Sequence, residues 1–152
     1  MQVLAAAAVG VRASPDASDG LRCQTGLVEP SAAILIVDDH GGFRAFARAM
    51  LEAAGFTVAE AATGAEATEA ASRVRPRLVL LDIQLPDLDG FEVARRLTAE
   101  PGGPVIVLTS TREASDYGGR ITSSPAAAFL PKDQLSGAVL RRFLPPDPRD
   151  PQ

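Results

Sequence analysis

The sequence predicts an α/β domain built on a doubly wound, five-stranded parallel sheet in the order 2-1-3-4-5, with helices on both faces. Three observations carry this expectation. Short apolar runs alternate with helical patterns from Ala32 onward, as successive βα units do. The runs Ile34–Val37, Leu78–Leu81 and Val105–Leu108 are apolar throughout, which is how strands covered on both faces read. Right-handed crossovers then close such units into a doubly wound sheet.

Taken in order, strands are expected near 33–38, 56–60, 77–82, 104–109 and 127–131. Phe43, Phe46, Ala47, Met50, Leu51 and Ala54 share one helical face after the first strand, and Gly55 ends that helix. The second strand alternates in Phe56-Thr57-Val58 and the fifth is short, so these two form the edges. Ala67, Ala70, Ala71 and Val74 make a second helical stripe, stopped by Pro76. Asp89 N-caps a third helix that carries Phe91, Ala94 and Leu97. Between Glu113 and Pro125, Gly118-Gly119 and nearby Ser and Thr residues weaken any helix, so a short, mobile one is expected. Leu135, Ala138, Val139 and Phe143 form the last helix, ended by Pro145-Pro146.

The domain thus runs over 32–144. Residues 1–31 show no sustained period and read as a disordered extension, or as the product of an upstream start codon. Residues 145–152 read as a disordered, proline-rich tail. A net charge of −4 speaks against non-specific nucleic-acid binding. Cys23 is the only cysteine, so neither a disulfide framework nor a thiolate metal site is available. The apolar run Val3–Val11 is too short to span a bilayer and has no basic residue ahead of it. The expected location is the cytoplasm.

Function is concentrated at the strand ends. The first strand runs into Asp38-Asp39, the third into Asp82, the fourth into Thr109-Ser110 and the fifth into Lys132. In an open α/β sheet, ligands bind beyond the carboxyl ends of the strands, so the fold gathers these groups into one pocket. Three carboxylates there repel one another by about 4 kcal/mol per pair at 4 Å and an effective dielectric near 20. A hard divalent cation, Mg²⁺ above all, together with Lys132 offsets that repulsion. An ionised aspartate is a competent nucleophile toward a phosphoryl group, and phosphoryl transfer mainly requires alignment and charge neutralisation. Singly, each residue has a plainer role: the acid pair as a helix cap, Thr109 as a strand end, Lys132 lying over a helix end, His40 as an exposed helix start. Together, in this order, they point to a phosphoryl-accepting Asp82.

At this point the chain resembles the receiver domain of bacterial two-component response regulators, over about residues 32–144. The run Asp82-Ile83-Gln84-Leu85-Pro86-Asp87-Leu88-Asp89-Gly90 matches the receivers' aspartate-to-glycine stretch without a gap. The resemblance implies a flavodoxin-like fold and phosphorylation of Asp82. It implies that Asp39 binds Mg²⁺ directly, Asp38 through water, and that Asp82 and the backbone carbonyl of Gln84 complete the protein's ligands. Thr109 stands for the switch hydroxyl, Phe129 for the aromatic switch residue and Lys132 for the phosphate-binding lysine. Two positions depart from the pattern: Asp133 follows the lysine where many receivers carry a cis-proline, and Ser110 replaces a small residue, often Ala, that controls access.

The implied partners are a sensor histidine kinase or phosphotransfer protein and a downstream protein, with no direct nucleic-acid or membrane contact and a phosphorylation-dependent dimer allowed. Only twenty residues follow Lys132, so a stand-alone receiver without an output domain is expected: a signalling protein rather than an enzyme. A DNA-binding regulator is disfavoured by the charge and by the short chain after Lys132; two alternatives remain open. One is a receiver-like binding module indifferent to phosphorylation. The other is an aspartate-nucleophile phosphohydrolase, disfavoured because Gln84 stands where a second acid is needed.

Overall fold

In the computed structural model, five strands hydrogen-bond in parallel: β1 (Ile34–Val37), β2 (Val58–Ala61), β3 (Leu78–Asp82), β4 (Val105–Ser110) and β5 (Ala128–Pro131), in the order β2-β1-β3-β4-β5. The structure describes residues 33–144, together with the backbones alone of Val11–Ala13 and Asp16–Ala17, a short strand pair within a separate unit. The expectations for the rest of 1–31 and for 145–152 lie outside the described residues.

The central strands are apolar on both faces for the reason their sequence suggests. Leu35, Val37, Val79, Leu81, Ile106 and Leu108 pack on one side of the sheet, with Ala67, Ala70, Phe91 and Ala94. These last four come from α2 (Gly64–Val74) and α3 (Gly90–Leu97). The alternate residues Ile34, Ile36, Leu78, Leu80 and Val107 pack on the other side. They meet Ala47 and Leu51 of α1 (Gly41–Ala53) and Leu140 of α5 (Gly137–Arg141). The two-residue side-chain period thus feeds two cores from one set of strands. β2 shows the half-exposed pattern of an edge, with only Val58 and Ala61 buried.

Local signals fix the helix ends. Thr63 Oγ1 accepts from the Glu66 N–H at 3.1 Å, and Asp89 Oδ1 from the Phe91 N–H at 2.7 Å. Gly55, at φ +99, turns the chain out of α1. α2 stops at Val74 because Arg75 precedes Pro76 and takes a left-handed conformation (φ 50, ψ 63).

Two expected apolar stripes need correction. Phe46 is 59% exposed; at 100° per residue it flanks the stripe centred on Ala47 and Leu51 rather than lying within it. The last helix covers only Gly137–Arg141, with Leu135 ahead of it, Ala138 exposed and Leu140 fully buried. Its start is set by Ser136, whose hydroxyl accepts from the Val139 N–H at 3.1 Å. The segment after β4 is short and broken, as its composition suggests: a 3₁₀ turn at Ala114–Tyr117 and α4 (Arg120–Ser123).

Candidate functional site

The carboxyl ends of β1, β3 and β5 converge on one charged site. Asp38 follows β1 and is wholly buried, Asp82 closes β3 at 3% exposure, and Thr109, paired with Asp82 in register, is 1% exposed. Lys132 leaves β5 and places Nζ 2.6 Å from Asp38 Oδ2 and 3.4 Å from Asp82 Oδ2. It also lies 4.6 Å from the centre of the Phe43 ring. The lysine therefore sits closer to the acid of β1 than to Asp82.

Asp39, beside the pair, has a side chain 38% exposed. His40 is exposed at the helix start, as expected, in the N-cap position just ahead of α1, yet its Nδ1 lies 3.2 Å from carboxylate oxygens of both Asp38 and Asp39. Asp38, Asp39, His40 and Asp82 offer ligand atoms all within 4.8 Å of one another.

A divalent cation fits this donor set. Three of the four are carboxylates, the hard oxygen ligands that Mg²⁺ prefers. Asp38 Oδ2 is buried with no aligned hydrogen-bond donor; Lys132 Nζ approaches it as an ion-pair partner, outside hydrogen-bond geometry. Lys132 offsets one of the three carboxylate charges gathered here, and a divalent cation would balance the other two.

The electrostatics agree. Burial pushes the Asp82 carboxyl up, helped by the Asp38 charge, while the Gln84 N–H and Lys132 pull it back. Burial works to lower Lys132, but Asp38 and Asp82 outweigh it and leave the ammonium held above its ordinary value.

The backbone around Asp82 is closely held. The Gln84 N–H donates to Asp82 Oδ1 at 3.1 Å, and Gln84 bridges to Asp89 across the loop. Gly90 opens α3 against the strand end: a Cβ there would lie 2.5 Å from the Asp82 carbonyl oxygen and 2.6 Å from Ile83 Cα. No side chain fits at that position. Asp87 reaches across to α2 and accepts from the N–H groups of Gly64 and Ala65 at 2.8 and 3.0 Å.

On the β4 side, Ser110 is buried and its hydroxyl bonds to Tyr117 Oη at 2.7 Å. Tyr117 sits between two rings, with centroids 6.0 Å from Phe91 and 6.2 Å from the partly buried Phe129. Arg120 spans back to α3, pairing with Asp89 and lying 4.4 Å over the Phe91 ring.

A sequence model described as "Response regulator receiver domain" matches residues 34–142. The chain belongs to the response regulator receiver family. The receiver is 39% identical over 118 residues to the probable transcriptional regulator ycf27 of Porphyridium aerugineum, covering 72% of this chain and 48% of that protein. It is 39% identical over 114 residues to a gliding motility regulatory protein of Myxococcus xanthus, covering 73% of this chain and 14% of the other. The chain thus spans about half the length of the first relative and a small part of the second. Among solved structures it is similar to the Vibrio cholerae chemotaxis protein CheY4 (26% identity, TM-score 0.66, covering 75% of this chain and 99% of that one). The receiver domain of the putative response regulator NarL from Mycobacterium tuberculosis is alike too (28% identity, TM-score 0.65, 75% and 97% covered). The sheet order expected from the sequence is the order of this receiver. No described helix is long and apolar enough to cross a membrane.

The structure brings Asp38, Asp39, Asp82 and Lys132 together, and Thr109 abuts them on the neighbouring strand. Sequence reasoning missed Arg44, Glu60 and Tyr117. Arg44 donates to the Asp38 carbonyl and to Glu60. A polar residue in the alternating edge strand, facing arginines spaced i, i+4 on the preceding helix, is the signal that pointed there. Nothing local marks Tyr117, which reaches its partners only through the tertiary fold.

Proposed function

We propose that this receiver accepts a phosphoryl group on Asp82 in a Mg²⁺-dependent reaction and passes the change to a partner protein through its surface. The observation that carries this reading is the placement of Asp82, buried at the end of β3, beside a second buried acid and within 3.4 Å of the Lys132 ammonium. A carboxylate oxygen of Asp82 attacks the phosphorus of a phosphohistidine or small acyl phosphate. The donor's P–N or P–O bond breaks, its electron pair leaves on the histidine nitrogen or the donor's carboxylate oxygen, and an acyl phosphate remains on Asp82.

Asp39 would hold the cation directly and Asp38 through water, with Asp82 and the Gln84 carbonyl; when bound, it would neutralise charge on the phosphoryl oxygens. Lys132 supplies the second positive charge. A cleft of about 1170 Å³ lined by His40, Phe43, Arg112, Phe129 and Lys132 opens on the Lys132 side of the site. Thr109 then closes on the new oxygens, and Phe129 shifts where it now meets Tyr117. The kinase and the downstream protein are the partners in this reading, DNA and membrane are not, and the setting is the cytoplasm.

Incubation with acetyl phosphate and Mg²⁺, followed by intact mass, tests it. Wild type should gain one phosphoryl group and lose that capacity in excess chelator; Asp82→Asn should gain none. Unmodified wild type, or equal labelling of Asp82→Asn, would sink the reading.

A further inference from the structure

Every polar group of Asp38 is engaged by a different part of the fold. Its N–H donates to the Ala61 carbonyl at 3.1 Å, its Oδ1 accepts from the His40 N–H at 2.8 Å, and its Oδ2 faces Lys132 at 2.6 Å. Its backbone carbonyl accepts from Arg44 Nη1 at 2.7 Å. Arg44 is anchored in turn: its Nε donates to Glu60 Oε1 at 3.0 Å, and the other Glu60 oxygen takes Arg48 Nη1 at 2.8 Å. The bond from Arg48, with that from Arg44, holds the Glu60 carboxyl below its ordinary value despite partial burial, so it stays charged at neutral pH. The Arg44 and Glu60 side chains are only 22% and 28% exposed.

The geometry points to Arg44 as a positioning residue for the acid pair, with Glu60 of the edge strand β2 as its anchor; this rests on the reading that the acid cluster binds a divalent cation. The reason is the planarity of the peptide bond. The Asp38 carbonyl lies in the same rigid plane as the Asp39 N–H and Cα. Clamping that oxygen therefore sets the direction in which Asp39 leaves the strand end. Asp39 needs this help, because its side chain is 38% exposed and its neighbour His40, 3.2 Å away, is itself 72% exposed. A guanidinium can hold the carbonyl and Glu60 at once, through two nitrogens in a fixed fork; a lysine ammonium on a flexible stem cannot keep that geometry.

Charge and positioning predict opposite signs. As a mere positive charge near a cation site, Arg44 would oppose Mg²⁺, and its removal would tighten binding. As a positioning group, its removal loosens binding, as the loss of groups that orient metal ligands does, commonly by 10-fold or more.

The experiment is calorimetric titration of the full chain with MgCl₂ alone, alongside the thermal midpoint in metal-free buffer. Arg44→Met and Arg44→Lys should each raise the Mg²⁺ Kd about tenfold, and Glu60→Gln, which leaves Arg44 in place, should raise it by less. A merely structural role would lower the midpoint and leave Kd unchanged, and that result overturns the inference, as does tighter binding by Arg44→Met. Should Arg44→Met fail to fold, Arg44→Lys, which keeps the charge and changes only the geometry, decides, and a wild-type Kd there overturns it. Wild type that takes up no Mg²⁺ overturns the cation reading and this inference together, which distinguishes the two failures.

Discussion

Strands β1, β2 and β3 are followed by helices of 13, 11 and 8 residues, whereas β4 and β5 are followed by α-helices of only 4 and 5. The first half carries the acids and the second carries Thr109, Ser110 and Lys132. On the acid side the strand ends are fixed by backbone bonds, caps and the Arg44–Glu60 clamp. On the other side, neither the Ala114–Tyr117 turn nor α4 contains a fully buried residue, and one tyrosine joins that segment to Ser110 and Phe129. Low burial of this kind is where local opening costs least. The contrast is what the proposed switch requires: a firmly held Asp82 beside a surface that can change.

The largest effect should come from cutting the core of the firm half. Leu81→Ala removes a fully buried side chain of β3 and should cost about 4 kcal/mol in urea unfolding. Ile121→Ala, half-buried on α4, should cost about 1 kcal/mol. Comparable losses at the two sites would abolish the distinction between the halves.

A smaller effect, of opposite sign, should follow from relieving charge on the acid side. The folded-state pKa of Asp82 is raised by burial, so its carboxylate opposes folding once ionised. That penalty is absent below the ordinary carboxylate value near 3.9 and grows as pH rises from there through the raised folded value. In metal-free buffer Asp82→Asn should therefore stabilise the protein at neutral pH, by on the order of 1 kcal/mol. The gain should vanish at about pH 3; urea midpoints across that range measure it. A destabilised variant at pH 7 would show that Lys132 outweighs the burial.

The smallest effect is expected in the soft half. Tyr117→Phe keeps the ring between Phe91 and Phe129 and loses only the hydroxyl contact with Ser110. It should cost about 0.5–1 kcal/mol. A loss near that of Leu81→Ala would mean that this tyrosine holds the segment far more firmly than its exposure suggests.

The sheet was legible because strands covered on both faces must be apolar throughout, and β1 and β3 are buried at every residue. The acid–threonine–lysine set was legible because a parallel sheet puts all its carboxyl ends on one edge. Phe46 was misplaced because helical spacing defines an arc without marking where it ends. The last helix was overextended because periodicity cannot see Ser136 capping it. Arg44, Glu60 and Tyr117 escaped because each acts through a contact with another strand or helix: Arg44 and Glu60 are 16 positions apart, and Tyr117 meets Phe91 across the fold.

The loop that follows Asp82 has one more consequence. Surface loops ordinarily absorb insertions with little penalty. This one is a closed clasp: Gly90 donates back to Ile83 at 2.8 Å, Gln84 pairs with Asp89, Asp87 grips the start of α2, and the place of a Cβ at Gly90 is filled by the Asp82 backbone. Its length is thereby set as strictly as that of any core strand. Anyone grafting this acidic site onto another scaffold must carry Asp82–Gly90 whole, along with a helix end for Asp87 to hold.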